Sequence, residues 1–457
     1  MKKRILAGVL SAATVLTLTT GLTGCKDNGA GHIDPVFTDD GKKLRIACWN
    51  WEFAEYFDAF YASKLPEGIT VEWAQFPNEG KNYQDNLDRL LKANIDAPAD
   101  EKIDIFLAEA DYIKKYVNSD YSLDVKSLGV TDTTNAYKYV LDAATTDSGN
   151  VLKGVSFQAC PGAVIIRKSI AKDVLGTDDP NELQSKLDSW DKFNAVAADA
   201  KAKGYMMTPS VLETYRAFAN NATTSYLNDN KFAPTEAFNN WFAQSKEFVS
   251  KGYTQVCDLW DPPKDNQMLA DGKAMCFFGP SWYYNFSMGT AQKNTNGDWC
   301  VIQGPQAYFW GGTWLLAANG TDNSSLVKQI MNDFMNDTEL MEKLVKGTGI
   351  KEWKDGKPTS ADHYNPCFAN NKAIIKKYVE DASYGNSFLG GQNDLAVMTS
   401  VADNIVWKKE LHTIYDQTFN ETLPKTMLDF FSGNASEEAA WNKFYNELAT
   451  VDSKITH

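Results

Sequence analysis

The sequence predicts an α/β protein with two lobes. Its 457 residues exceed what one hydrophobic core usually organises. Apolar runs alternate with helical patterns between residues 44 and 113, in the order strand, helix, strand, helix, strand. This order is typical of a mainly parallel sheet with crossover helices. Hydrophobic residues make up 43% of the chain and charged residues 23%, as in a globular protein.

The first strands are predicted from short apolar runs at 44–49, 69–74 and 103–108. Two helices are predicted between them, because apolar residues recur there at helical spacing. The first helical pattern includes Phe53 and Phe57, and the second includes Leu87 and Leu91. Parallel pairing of the three strands would place their carboxyl ends at one edge of the sheet.

Candidate ligand-binding residues follow these strands, because ligands of open α/β sheets bind beyond the carboxyl ends of the strands. Trp49, Trp51 and Glu52 follow the first strand, and Glu109 and Asp111 follow the third. Tryptophan offers an apolar plane with one polar group, and carboxylates accept hydrogen bonds. Together they predict a site at this edge.

Later elements are predicted in the same way. Residues 155–167 contain two apolar runs around Cys160-Pro161-Gly162, which predicts a crossing from the first lobe to the second. Further strands are predicted at 274–278 and 313–318, mostly helical segments at 181–204, 213–226, 235–252 and 324–346, and a loop that forms a further crossing at 356–366.

The stretch 272–318 combines tryptophans with permissive backbone. Trp282, Trp310 and Trp314 lie near strand ends, and Gly311 and Gly312 allow close approach of a backbone because they lack a Cβ. A single tryptophan of this kind is more often part of a core. Three tryptophans beside glycines favour a core and a binding site about equally. In a binding site, their aromatic planes would grip a flat, hydroxyl-covered sugar ring.

The N-terminus predicts export and a lipid anchor. Lys2, Lys3 and Arg4 precede an apolar stretch that is too short for a lasting membrane helix. Leu22 to Cys25 then resembles the lipobox of bacterial lipoproteins, in which the cysteine becomes the first mature residue and carries acyl chains. We therefore expect a signal peptide over 1–24, lipidation of Cys25, and a flexible tether over 25–42.

Composition also limits the partners and cofactors. A net charge of −14 argues against nucleic acid, which demands basic patches. Six cysteines besides Cys25 are scattered; Cys48, Cys276 and Cys300 lie in apolar runs, which favours buried thiols, and pairing of the six stays open. The four histidines show no metal-ligand spacing, so neither a metal nor another cofactor is predicted. Serine-hydrolase, P-loop and HExxH motifs are absent.

Several motifs together resemble the family 1 extracellular solute-binding proteins, the carbohydrate group that includes maltose-binding proteins. They are the lipobox, CWNWEF (48–53), DIFLAEADYI (104–113), GKAM to GPSW (272–282) and WGGTWLLA (310–317), with FLGGQND (388–394) fitting less well. The resemblance covers nearly the whole mature chain.

This resemblance implies a two-lobed periplasmic-binding-protein fold, type II-like. Each lobe would hold a mixed, mainly parallel sheet with flanking helices, and hinge strands would join the lobes. The implied lobes are 43–158 with 310–360, and 159–309 with 361–457. The resemblance also implies that the protein lies at the extracytoplasmic side of a bacterial cell membrane. There it would deliver a carbohydrate to the permease subunits of an ABC importer.

Site residues implied by the resemblance are assigned by position. Trp282, followed by Tyr283, matches the stacking aromatic of the second lobe. Glu109 and Asp111 match acidic positions that bind sugar hydroxyls, and Trp49 and Trp51 match the loop after the first strand. The remaining implied ligand-binding residues are Glu52, Trp310, Gly312, Trp314, Gln392 and Asp394. The many aromatic residues favour an oligosaccharide.

Three alternatives stay open. A glycoside hydrolase needs two carboxylates that flank the scissile bond, and Glu52, Glu109 and Asp111 can supply a pair. A binding protein for a polyamine, a peptide or a metal is a second alternative, because polyamine sites also combine aromatic and acidic groups. A surface adhesin is disfavoured, since no repeats are visible.

Overall fold

The computed structural model describes residues 33–457. The strands within this range are β1 Lys43–Cys48, β2 Thr70–Gln75, β3 Ile105–Glu109, β4 Gly154–Ser156, β5 Pro161–Arg167, β6 Leu227–Asn228, β7 Lys231–Phe232, β8 Cys276–Gly279, β9 Trp299–Ile302, β10 Tyr308–Phe309, β11 Thr313–Ala317, β12 Lys351–Lys354 and β13 Lys357–Asp362. The α-helices are α1 Glu52–Phe60, α2 Asn82–Ala93, α3 Ile113–Val117, α4 Lys138–Ala143, α5 Lys168–Leu175, α6 Pro180–Leu187, α7 Trp190–Ala202, α8 Tyr215–Ala219, α9 Glu236–Lys251, α10 Pro262–Asn266, α11 Gly289–Asn294, α12 Ser324–Asn336, α13 Thr338–Lys346, α14 Lys372–Val379, α15 Asp394–Ala402, α16 Leu423–Thr426, α17 Leu428–Phe431 and α18 Glu437–Val451.

The first sheet has five strands in the order β2-β1-β3-β11-β4. β1 pairs in parallel with both β2 and β3, which confirms the strand–helix–strand prediction for this part of the chain. β11 is antiparallel to β3 and to β4. The direction of β11 follows from its path, because the chain returns from the second sheet and enters the first at the edge where β3 ends.

The second sheet is built around β5, which pairs with β8, β9 and β10. All three pairs are antiparallel, so the prediction of a mainly parallel sheet is wrong for this sheet. The reason is again the chain path. β5 begins at the crossing at Pro161 and runs away from it, whereas β8 ends at Gly279, opposite Ala163, and therefore runs back toward the crossing.

Two predicted segments differ from the structure. The predicted loop at 356–366 holds β13, which forms a hairpin with β12. Asp355 and Gly356 connect the two strands with positive φ angles of 52° and 80°, the backbone of a tight hairpin turn. The predicted helical segment at 213–226 contains one short helix, α8, followed by turns.

The core of residues 33–457 consists of two hydrophobic clusters. The larger one runs through both sheets and includes Cys48, Cys276 and Cys300, whose prediction as buried thiols is confirmed. Cys160, Cys257 and Cys367 are buried and unpaired as well. The smaller cluster joins α8 and α9 to α18, which buries Phe444 and Leu448 in it. In the part of the chain that the structure describes, each helix is too short or too polar to cross a bilayer.

Candidate functional site

A cleft of about 1530 Å³ lies where the strands of the first sheet end and the loops of the second sheet begin. This is larger than the roughly 300–1,000 Å³ of a common small-molecule pocket. Eight of the predicted residues line the cleft: Trp49, Trp51, Glu52, Glu109, Asp111, Trp282, Trp310 and Gly312. The edge of the first sheet and the crossing segment therefore meet in one place.

Gly311 marks the point where three segments converge. Its φ is +72°, and a Cβ there would lie 3.3 Å from Nε1 of Trp282 and 3.5 Å from Oε1 of Glu109. Trp282 follows β8 of the second sheet, and Glu109 ends β3 of the first. Trp282 Nε1 also donates to the carbonyl of Trp310 at 3.0 Å. A glycine at 311 therefore lets an acidic group and an indole from different sheets face the same space.

Tryptophans form much of the apolar wall. The indoles of Trp282 and Trp310 lie edge to face with centroids 5.0 Å apart, and Trp260 lies 6.2 Å from Trp310. On the other side, Trp51 lies 5.8 Å from Trp353 of β12. Six tryptophans line the cleft in all: Trp49, Trp51, Trp260, Trp282, Trp310 and Trp353. The cleft thus offers several separate aromatic planes.

Asp111 is held by a cation of α8, the helix that packs on β10 of the second sheet. Its two carboxylate oxygens accept hydrogen bonds from Nη1 and Nη2 of Arg216, both at 2.7 Å. Asn420 Nδ2 adds a third bond at 2.8 Å. The guanidinium of Arg216 also lies 5.3 Å from the ring centroid of Trp310. Asp111 is therefore largely occupied by protein groups before any ligand arrives.

Glu52, Glu109 and Glu421 are further carboxyls of the cleft that lack a basic partner at ion-pair distance among residues 33–457. Burial, reinforced by the nearby Glu55 carboxylate, raises the pKa of Glu52 to about 7. Burial and the negative charge of Asp111 also raise the pKa of Glu109 well above its usual range, and that of Glu421 in the same direction. A carboxyl that binds its proton more tightly can both donate and accept a hydrogen bond.

The β12–β13 hairpin is fastened to α1 beside the cleft. Glu55 is buried on α1, and its Oε1 accepts from the backbone N–H of Trp353 at 2.9 Å. Its Oε2 lies 2.7 Å from Nδ1 of His363. The hydrogen bond to Glu55 raises the pKa of His363. This contact fixes the strand that carries Trp353 against Trp51.

Two π-helical turns border the cleft, at Tyr283–Ser287 and Thr418–Thr422. The first displays Phe286, which is 71% exposed, and the second displays Asn420 and Glu421. Such turns are rare and concentrate at functional sites, because the extra residue re-aims neighbouring side chains. The backbone therefore also points to this cleft as the binding site.

The sequence from 55 to 351 matches the family described as bacterial extracellular solute-binding protein. The chain belongs to this family. This match confirms the family resemblance inferred from the sequence. Members of the family are binding proteins that act outside the cytoplasm. No curated protein sequence matches this solute-binding protein.

Solved structures show that the fold of this solute-binding protein is the two-lobed one. An extracellular solute-binding protein of family 1 has a TM-score of 0.70 at 17% identity, over 91% of this chain and 100% of the other. The binding protein from B. animalis subsp. lactis, in complex with beta-1,6-galactobiose, has a TM-score of 0.65 at 14% identity, over 91% and 99%. The galacto-N-biose-/lacto-N-biose I-binding protein from Bifidobacterium longum, in complex with lacto-N-biose, has a TM-score of 0.64 at 14% identity, over 91% and 98%.

The other four predicted residues of this solute-binding protein lie outside the cleft. Tyr283 donates to Glu213 Oε1 at 2.9 Å, and Trp314 Nε1 donates to the carbonyl of Val140 at 3.0 Å. Gln392 exchanges two hydrogen bonds of 2.8 Å with the backbone of Val301 on β9, and Asp394 is buried and accepts from Tyr284. The structure thus gives each of these side chains a partner inside the protein.

Several cleft residues were missed by the sequence reasoning: Arg216, Trp260, Trp353, His363 and Glu421. A signal existed for Trp353, because Asp355-Gly356 is a strong hairpin dipeptide that places the tryptophan on a strand. Arg216 has no local signal, since its partner Asp111 lies 105 residues away. Cys25 lies outside the described residues.

Proposed function

We propose that this chain captures a carbohydrate, an oligosaccharide, in its cleft and delivers it to the permease subunits of an ABC importer. The observation that carries the proposal is the convergence of Glu109 and Trp282 at Gly311, within 3.5 Å of one point. Sugar recognition needs this combination. Ring C–H faces pack on aromatic planes, and hydroxyls need polar partners at fixed positions.

Hydroxyl binding agrees with the state of the cleft carboxyls. The raised pKa of Glu52, about 7, results chiefly from burial. A sugar hydroxyl both donates and accepts, so it can satisfy either form of such a carboxyl. Closure around the ligand would exclude water and strengthen these hydrogen bonds. The sugar complexes among the similar folds support the same ligand class.

We further propose that the lobes are 43–158 with 310–360 and 159–309 with 361–457, and that the connections between them act as a hinge. Binding to both lobes would select the closed state. X-ray scattering with and without a bound oligosaccharide tests this point. A radius of gyration that does not fall on binding would contradict it.

A thermal-shift screen against neutral oligosaccharides tests the proposed ligand class. The series are α-1,4-gluco-, β-1,4-gluco- and β-1,6-galacto-oligosaccharides, with spermidine and short peptides in parallel. A bound ligand raises the melting temperature by mass action. We expect a rise with at least one sugar series and none with the amines or peptides. A rise with spermidine alone would contradict the proposal.

A polyamine is the second candidate, and a specific observation favours it. Glu52, Glu109 and Glu421 lack basic partners at ion-pair distance among residues 33–457, and the tryptophans beside them can bind cations. The directions of the pKa shifts favour the sugar, because buried carboxyls with raised pKa values hold less negative charge. Affinity that falls steeply with added salt would indicate the cationic ligand.

We propose a binding function without catalysis. A glycosidase needs one carboxyl as acid and a second as nucleophile or base. Asp111 is disfavoured for either role, because Arg216 and Asn420 occupy its oxygens. Incubation with labelled oligosaccharides tests this directly. Cleavage at enzymatic rates that disappears in Glu109→Gln would overturn the binding account.

We propose that Cys25 carries the lipid that holds the protein at the extracytoplasmic face of the cell membrane. The support is the lipobox-like segment Leu22 to Cys25. The Cys25→Ser variant should be released from cells, whereas the wild type should sediment with membranes. Retention of the variant at the membrane would mean another anchor.

A further inference from the structure

Trp260 is the most exposed tryptophan of the cleft. It is 49% exposed, while Trp310 beside it is 7% exposed. The two indoles lie 6.2 Å apart with planes inclined by 54°. An exposed large aromatic group is costly in water, and one that continues a binding cleft marks a surface that a ligand covers. The aromatic wall formed by Trp282 and Trp310 therefore extends outward to Trp260.

Polar groups accompany this outer indole. Asp258 Oδ2 accepts from Lys425 Nζ at 3.0 Å, and both residues line the cleft. Asp258 Oδ1 is buried and has no hydrogen-bond partner among residues 33–457. Lys264 Nζ lies 6.0 Å from the Trp260 ring centroid and is buried. An aromatic plane beside an ammonium group and a carboxylate repeats, farther out, the chemistry of the inner site.

The cleft that Trp260 lines also reaches the last helix. Lys443, Glu447 and Thr450 of α18 line it, and Trp353 lines it at the hairpin. These boundaries belong to one space of about 1530 Å³, which exceeds the roughly 1,000 Å³ upper range of small-molecule pockets. A disaccharide bound at Trp282 would leave the outer part empty.

We propose that Trp260, with Asp258 and Lys425, forms a distal subsite for sugar units beyond those bound at Trp282 and Glu109. The subsite makes the protein prefer longer oligosaccharides over disaccharides. This inference rests on the proposed function and adds the length of the ligand to it. The inner residues determine whether a sugar binds, and Trp260 determines how affinity grows with each added unit.

Calorimetric titration with oligosaccharides of increasing length tests the subsite. The probes are di-, tri-, tetra- and pentasaccharides of the three sugar series named above. We expect wild-type affinity to rise with length. Trp260→Ala should weaken binding of the longest sugar about tenfold, as loss of one stacking contact does, and leave the disaccharide within about twofold. Trp260→Phe should recover most of the loss.

Two variants serve as comparisons. Trp282→Ala should weaken sugars of every length, because it removes the inner plane. Phe37→Ala removes an aromatic side chain of similar exposure, 38%, that does not line the cleft, and should change nothing. The subsite alone would be overturned if Trp260→Ala weakened the binding of sugars of every length equally, or weakened none of them. A wild-type affinity that does not depend on sugar length would also overturn it. Absence of binding to every series would instead contradict the proposed function.

Discussion

The guanidinium of Arg216 and the carboxylate of Asp111 form a buried ion pair across the cleft. Both N–O distances are 2.7 Å, and the side chains are 9% and 5% exposed. Asp111 follows β3 of the first sheet, and Arg216 lies on α8, which packs on β10 of the second. The pair therefore joins the two sides of the cleft without a ligand.

Removal of one side chain of this ion pair should destabilise the folded protein. Arg216→Met leaves the carboxylate of Asp111 buried without a counter-charge, so we expect the free energy of unfolding to fall by about 3–5 kcal/mol. Urea denaturation measures this. Combining Arg216→Met with Asp111→Asn should recover part of the loss, because the neutral amide tolerates burial better. Lys138→Met, which breaks a pair whose lysine is 83% exposed, should cost less than about 1 kcal/mol. A similar loss in Arg216→Met and Lys138→Met would contradict this account.

Glu52 should make stability depend on pH. The pKa of Glu52 is raised from 4.5 to about 7, so the folded protein keeps this proton after the unfolded chain has lost it. Stability from this group therefore falls as the pH rises through that window. Glu52→Gln should match the wild type at pH 4 and exceed it by about 1–2 kcal/mol at pH 8.

Urea denaturation at the two pH values measures the effect of Glu52→Gln. Glu67→Gln, at an exposed carboxyl, is the control and should change stability little at either pH. If the Glu52→Gln variant is only as stable as the wild type at pH 8, burial does not penalise this carboxylate.

His363 should stabilise the hairpin most in acid. Its bond to Glu55 raises the pKa of His363 above 6.5, so the contribution is complete below pH 6.5 and is lost as the pH rises through the raised pKa. We expect His363→Gln to lower the free energy of unfolding by about 1 kcal/mol at pH 6 and by less at pH 9. His457→Gln, at an exposed histidine, is the control. A loss that does not change with pH would rule out the ionic contribution.

Gly311 should be sensitive to a single methyl group. Gly311→Ala forces φ of +72° on a residue with a Cβ and places that atom 3.3 Å from Trp282. Gly176→Ala meets the same backbone strain at φ of +78° with nothing within 4 Å. Both should destabilise by about 1 kcal/mol. Only Gly311→Ala should also weaken oligosaccharide binding in calorimetry, and equal affinities in the two variants would contradict the role of Gly311.

The sequence was most informative where the pattern is local. The apolar runs of β1 and β3 are mostly buried, and such runs identify strands of a parallel sheet. β2 lies at the edge of the sheet and is only partly buried. The placement of Trp49 and Glu109 at the cleft follows, because ends of parallel strands share one edge. Direction in the second sheet depends on where the chain crosses, which no local pattern records.

Side-chain direction explains the predicted residues that lie elsewhere. Thr313 and Trp314 are neighbours on β11 and therefore point to opposite faces. Thr313 lines the cleft, so Trp314 packs behind it against Val140. Asp394 lies in the first turn of α15, where a carboxylate favours the positive helix end. Composition alone did not distinguish these structural roles from ligand binding.

In the proposed complex, Trp282 and Glu109 bind one sugar from two sides of the cleft. Calorimetric titration of Trp282→Ala, Glu109→Gln and the double variant, with the tightest oligosaccharide from the screen, tests it most directly. We predict that Trp282→Ala weakens binding by more than about 1 kcal/mol with the fold intact, that Glu109→Gln also weakens it, and that the double variant departs from additivity. Wild-type affinity in both single variants would contradict the account.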